Sequence, residues 1–194
     1  LTDENEVKIE YNAMPMEDTV INLTNHSYFN LNGHDSGNVL DHEVWIDADS
    51  YTRANKESIP TGEIVPVENT PMDFRVKKAI GRDIGAAYEA LIFGNGYDHN
   101  WCLNNDGQLA KVAEASSEKS GISMEVYTDL PGVQMYTGNF ISKEHGKSGA
   151  VYENRQGVCF ETQYYPDAVN HDNFASAIFK KGEMYHTVTI YKFV

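Results

Sequence analysis

Only two cysteines, Cys102 and Cys159, occur among 194 residues. That is too few for a disulfide framework or a four-cysteine zinc site, and both read as buried small hydrophobes. A reducing, cytoplasmic location follows as the expectation. Positive charge is scarce too: 15 Lys and Arg stand against 29 Asp and Glu, a formal net charge of −14. Such a chain repels phosphate backbones and anionic lipid, so neither nucleic acid nor a membrane surface is an expected partner. No apolar run approaches the ~20 residues of a membrane-spanning helix. The chain opens Leu1-Thr2-Asp3-Glu4 without an initiator Met, a basic n-region or an apolar h-region. No signal peptide is visible, and the chain reads as a piece of a longer product. At 41% hydrophobic and 23% charged residues, the composition is that of an ordinary globular protein of one domain, residues 1–194.

Helical periodicity is nearly absent, and alternation with period two takes its place. Val7, Ile9 and Tyr11 alternate with Lys8, Glu10 and Asn12 as in a half-buried strand. Across Thr19–Leu31, apolar Ile21, Leu23, Phe29 and Leu31 alternate with Asn22, Thr24, His26, Tyr28 and Asn30, which predicts another strand. Val44 and Ile46 belong to a third. Gln108–Ser116 and Ile122–Thr128 read as a hairpin turning at Gly121, and Val133–Phe140, Val158–Tyr165 and Tyr185–Phe193 complete the set. Segments Asp47–Pro71 and Asp129–Pro131 read as loops, and Phe74–Ile84 and Phe174–Lys180 as single helical turns. Short strands separated by turn signals predict an all-β antiparallel sandwich rather than βαβ units.

The phosphate loop, the dinucleotide fingerprint, the zincin helix and the hydrolase elbow all lack their residues. Among seven histidines no pair has the local spacing of a metal site, and no metal or cofactor is expected. His34, His42, His145, His171 and His186 read as surface or loop residues. Three segments instead concentrate polar side chains where burial is expected: Asn25–Leu31, Gly96–Trp101 and Phe160–Tyr164. If Val158, Phe160 and Thr162 face the apolar layer, Glu161 and Gln163 project from the opposite face. A mid-strand Glu among aromatics is costly when buried unpaired. Taken singly, Glu161 fits a solvated outer face, His26 a structural hydrogen bond, and Asp98 a turn. Together, a His, a Glu and an Asp among Tyr and Trp suit a neutral polyol: aromatic faces cover the sugar, polar groups bond its hydroxyls, and His opposes Glu as acid to base.

Five strings in order carry a resemblance over essentially the whole chain. They are Val20-Ile21-Asn22-Leu23-Thr24-Asn25-His26-Ser27-Tyr28-Phe29-Asn30-Leu31; Pro60–Ile64 with Pro71–Arg75; Gly96-Tyr97-Asp98-His99-Asn100; Gln134-Met135-Tyr136-Thr137-Gly138-Asn139; and Glu161-Thr162-Gln163. The sequence resembles the aldose 1-epimerase (galactose mutarotase) family. The resemblance implies a large twisted antiparallel β-sandwich, here incomplete at its N-terminus, with the sugar in an open cleft. It implies interconversion of the α and β anomers of a free hexose such as glucose or galactose, without metal or nucleotide. By motif, Glu161 would be the base at the C1 hydroxyl and His26 the acid at the ring oxygen. Asp98, Gln134 and Tyr28 would hold the substrate. Family members extend further upstream, where an Asn…His-Gly-Gly stretch and an Asn-Arg pair supply pocket residues that no position here matches. The expected partners are therefore the sugar and either that upstream segment or a second copy of the chain.

Two other functions remain open. A non-catalytic carbohydrate-binding sandwich would need the aromatic and Asp contacts but not both His26 and Glu161. A hexose-6-phosphate 1-epimerase would need a basic cluster at the pocket, whereas Arg53, Arg75, Arg82 and Arg155 are scattered in the sequence.

Overall fold

Alternation along each strand dictates which side chains are buried, and the strands assemble accordingly. The computed structural model describes residues 1–194. It contains β1 (Glu6–Ala13), β2 (Thr19–Val20), β3 (Glu43–Ile46), β4 (Ala48–Ala54), β5 (Pro60–Pro66), β6 (Lys78–Ala79) and β7 (Asp98–Leu103). There follow β8 (Ala110–Ser116), β9 (Ser123–Thr128), β10 (Gly132–Tyr136), β11 (Glu144–His145), β12 (Val151–Tyr152), β13 (Cys159–Gln163), β14 (Ile178–Phe179) and β15 (Tyr185–Phe193). A five-residue helix, α1 (Glu89–Phe93), is the only α-helix, and it is far too short to cross a membrane.

Two antiparallel sheets form the body. One has the order β1-β15-β9-β8-β3-β6 and the other β13-β10-β7-β4-β5. Their facing side chains merge into one cluster of 25 buried residues. Val44, Ile46, Met124, Val126 and Tyr191 enter it from the first sheet, and Tyr51, Trp101, Val133, Met135 and Phe160 from the second. This shared core makes the sandwich. The predicted hairpin is present as β8 and β9, with Gly121 at φ +74° in the turn between them.

Several expectations are corrected. Asp47–Pro71 is not a loop but mostly the β4–β5 hairpin. Register shifts between Ala48 and Ser50 and between Thr52 and Ala54 break the period-two pattern, and edge placement accommodates the prolines of β5. Thr19–Leu31 is not one strand: only Thr19–Val20 pairs, with β14, and Phe29 makes an isolated bridge to Val158. Phe74–Ile84 holds β6 and a short 3₁₀ turn at Ile80–Arg82, whereas Phe174–Lys180 contains β14 rather than a helical turn. His42 is not at the surface. It is fully buried, and its Nε2 accepts the Leu31 N–H at 2.9 Å while Nδ1 faces Asp41.

One turn sets the start of β7. Gly96 adopts φ +130°, and buried Asn139 lies against it, donating from Nδ2 to the carbonyls of Gly94 and Tyr97, each at 2.9 Å. An added Cβ at Gly96 would stand 2.5 Å from Asn139 Oδ1. Gly96→Ala is therefore expected to cost about 1–3 kcal/mol, read as a lowered urea midpoint with unchanged slope. A variant as stable as the parent would contradict this packing.

Candidate active site

Strand parity lays out the polar floor of the site. In the β13-β10-β7 ladder, Gln134 pairs with Glu161 on one side and Asn100 on the other. One row away, Tyr136 pairs with Cys159 and Asp98; in the opposite direction, Gly132 pairs with Gln163 and Cys102. These nine positions share a face because every second residue of a strand points the same way. The intervening residues, among them Phe160, Thr162, Val133, Met135, His99 and Trp101, point inward and are buried. The sheet thus presents an acid, an amide and a hydroxyl on one face while the other face is core. As parity predicted, Asp98 and His99 diverge. His99 is buried, with Nε2 3.1 Å from the Ala90 carbonyl, and burial lowers its imidazole pKa to about 4.

The crossover from β2 to Leu31 brings His26 over this floor. Asn22 replaces strand backbone with its side chain: Nδ2 donates to the Tyr164 carbonyl at 3.0 Å and Oδ1 accepts the Tyr164 N–H at 2.9 Å. At the other end, Phe29 and Val158 exchange backbone bonds of 2.8 and 2.9 Å. Tyr11 donates its hydroxyl to the Thr24 carbonyl, and the Tyr191 hydroxyl lies 2.8 Å from Asn25 Oδ1. Clamped at both ends along β13, the intervening chain is free of ladder pairing. His26 Nε2 stands 3.5 Å from Glu161 Oε1, and its Nδ1 3.3 Å from Cys159 Sγ. The His26 side chain is 50% exposed and that of Glu161 only 12%, so the pair has one wet member and one sheltered one.

The expected substrate contacts fall around that pair. Gln134 Nε2 donates to Asp98 Oδ1 at 2.8 Å, and Gln163 Nε2 reaches both Gln134 Oε1 at 3.3 Å and Asn100 Oδ1 at 3.2 Å. The rings of Tyr28 and Tyr136 lie 5.0 and 5.8 Å from that of His26. Tyr28 is half exposed and also lines a neighbouring cavity of about 640 Å³ with Phe29, His34 and Tyr152. None of His26, Glu161, Asp98 or Gln134 borders that cavity, so it is distinct from the polar floor.

Burial dominates the electrostatics. It pushes Glu161 up to about 7, with His26 opposing the shift and Asp98 adding to it. Burial also raises Asp98, against the Gln134 hydrogen bond and His26. The Cys159 thiol is driven above its usual range by burial and then by the two carboxyls. Burial likewise raises Tyr28 to about 12, keeping its hydroxyl a donor. A carboxyl that titrates near neutrality beside a histidine is suited to take up and release a proton. His26, Cys159 and Glu161 also offer one metal-ligand atom each within 4.8 Å of one another.

All five sequence-predicted residues, His26, Glu161, Asp98, Gln134 and Tyr28, converge here. Sequence reasoning put Gln163 on the face of Glu161 but missed Cys159, Tyr136 and Asn100 as parts of the floor. The same parity was a signal for Cys159; the lateral register that adds Tyr136 and Asn100 had none. The arginines lie elsewhere: Arg53 pairs with Glu63 and Glu89, Arg75 with Asp73 and Asp49, Arg82 lies near Asp83, and Arg155 donates to the Asn95 carbonyl. A phosphate-holding cluster at the floor is thus not formed by them.

Comparison with known proteins agrees in sequence and shape. The family model described as aldose 1-epimerase matches residues 1–192. A galactose mutarotase from Homo sapiens is 43% identical over 192 residues, covering 98% of this chain and 55% of that protein. An aldose 1-epimerase from Escherichia coli is 34% identical over 197 residues, covering 100% and 56% respectively. Among solved structures, an aldose epimerase homologue from C. elegans superimposes with TM-score 0.86 at 27% identity, over 99% of this chain and 57% of that one. A galactose 1-epimerase from Lactobacillus acidophilus gives 0.83 at 26%, over 99% and 54%. The chain spans about half the length of the curated relatives it matches.

Proposed function

This chain belongs to the aldose 1-epimerase family, and on that premise we propose that it carries the acid–base centre that interconverts the α and β anomers of a free aldohexose. The observation that supports this most is the 3.5 Å approach of His26 Nε2 to Glu161 Oε1 above a floor of hydrogen-bonding side chains. In the reaction, Glu161 takes the proton from the C1 hydroxyl while protonated His26 gives one to the ring oxygen. The C1–O5 bond breaks and the open-chain aldehyde forms. Both oxygens are attached to C1, so groups this close can serve them together. After rotation about C1–C2, the C5 hydroxyl attacks the other face of the aldehyde. His26 takes the proton back from that hydroxyl, and Glu161 returns its own to the former carbonyl oxygen. Each residue ends as it began.

Asp98 and Gln134 hold sugar hydroxyls in this reading: Asp98 accepts, and the Gln134 amide both fixes Asp98 and offers its own polar atoms. Tyr28 and Tyr136 cover the apolar side of the ring. Fresh α-D-glucose and α-D-galactose followed by polarimetry test the proposal: the protein is expected to hasten the drift to equilibrium rotation. The mechanism routes no step through a metal, so prior dialysis against EDTA should leave the rate within a few-fold. Loss of activity on dialysis, reversed by adding a divalent ion, would overturn the metal-free mechanism.

A further inference from the structure

Three side chains of different chemistry meet at one edge of the polar floor. Cys159 and Glu161 are two residues apart on β13 and therefore project from the same face, while His26 arrives from the crossover. One ligand atom from each lies within 4.8 Å of the others. Zinc bonds of about 2.0–2.3 Å in a tetrahedral site place neighbouring ligand atoms roughly 3–4 Å apart. The Sγ–Nδ1 separation of 3.3 Å and the Nε2–Oε1 separation of 3.5 Å involve the two different ring nitrogens of His26, so the imidazole stands between thiol and carboxyl and must turn for one nitrogen to serve both. Thiolate, imidazole and carboxylate form a mixed set suited to a borderline-soft divalent ion. The imidazole is half exposed and therefore able to turn and present a single nitrogen.

The charge balance favours a cation at the same place. Asp98 and Glu161 lie on one sheet face, with His26 3.5 Å from Glu161, while Arg53, Arg75 and Lys111 are engaged by other carboxylates. The chain as a whole carries −14. Two sheltered carboxyls with no Lys or Arg beside them attract a divalent ion, and a neutral sugar brings no charge to compete.

We propose that His26, Cys159 and Glu161 form a capture site for Zn²⁺ that switches the acid–base centre off. Bonds form from the ion to Cys159 Sγ, one His26 nitrogen and one Glu161 oxygen. The thiol S–H bond breaks, as does an N–H bond of a protonated His26 and the O–H bond of a protonated Glu161; these protons pass to solvent, and nothing is oxidised or reduced. Once bound, His26 cannot become imidazolium and the Glu161 carboxylate is held by the ion, so the pair cannot exchange protons with the sugar. The inhibition rests on the acid–base reading above; the binding does not.

Titration of the reduced full chain with cobalt(II) chloride, then zinc chloride, separates the two. One equivalent of cobalt is expected to give a sulfur-to-cobalt charge-transfer band with intense four-coordinate d–d bands, and zinc should displace it. Cys159→Ser should remove the charge-transfer band and weaken zinc binding by about 100-fold or more. Cys102→Ser should leave the spectrum intact. His26→Asn, at an exposed position that keeps the sheet whole, should also weaken binding. In polarimetry, zinc should slow the reaction and EDTA restore it. A wild-type chain without the band, or a band that survives Cys159→Ser, overturns the site and leaves the epimerase reading standing. A zinc-loaded chain that still accelerates mutarotation overturns the switch and, with it, the roles of His26 and Glu161.

Discussion

Glu161→Gln is expected to lower the proposed mutarotation rate by about 10²–10⁴-fold, the usual contribution of a positioned general base. The amide keeps the shape of the carboxyl and cannot take the C1 hydroxyl proton, so the loss should appear in kcat. His26→Asn should cost a similar factor. Because both groups act in one step, the double variant should fall well short of the product of the two losses. Polarimetry at saturating sugar decides: if each single variant stays within a few-fold of the parent, the acid–base assignment is wrong.

The same substitution has a second consequence with a definite sign. An unfolded Glu titrates at about 4.3, whereas burial raises Glu161 in the fold to about 7. The folded state therefore holds the proton more tightly. Its advantage is present below the unfolded pKa and lost as pH rises through about 7, where the buried carboxyl must ionise. Glu161→Gln should thus be more stable than the parent at pH 8, by up to about 3 kcal/mol, and close to it at pH 4. Catalysis runs the other way: the parent rate should fall as pH drops below about 7 because the base is then already protonated. Thermal melts and rates across that window check both limbs.

Trp101→Ala should strike the core harder than the change at Gly96, costing about 3–5 kcal/mol. Trp101 is 0% exposed and lies on the inward face of β7, between Asn100 and Cys102 of the site floor. Its ring sits 5.8 Å from Phe74 and 6.2 Å from Tyr97, and Nε1–H donates to the Met72 carbonyl at 3.0 Å. Truncation leaves a cavity where two sheets share one core and an acceptor without its donor. Against a typical total of about 5–15 kcal/mol, that is a large share. A urea midpoint shift equivalent to under about 1 kcal/mol would contradict this interior packing.

Wherever the period-two rule applied, the residues announced their own placement. Asp98 and His99 were read to opposite faces and lie there; Glu161 and Gln163 were read opposite Phe160 and Thr162, and they are. The rule failed at two places for identifiable reasons. In β4 the register shifts put Tyr51 and Thr52 both out of water, so no clean alternation survives. In Thr19–Leu31 the alternation is real in sequence but idle in space, because Asn22 supplies by side chain the bonds that a strand would make by backbone. That substitution lifts His26 off the sheet edge and over its face.

Local pattern was enough to establish an all-β protein, the polar faces of its strands, and the residues able to do acid–base chemistry, since strand parity and residue type are local properties. The meeting of His26 with Glu161 and Cys159, the bond from Gln134 to Asp98, and the burial of His42 emerged only in the assembled fold. His26 and Cys159 are separated by 133 positions in the chain and 3.3 Å in space. Sheet order and the clamps on the crossover set that approach, and these arise from pairing between strands distant in sequence, which no local pattern encodes.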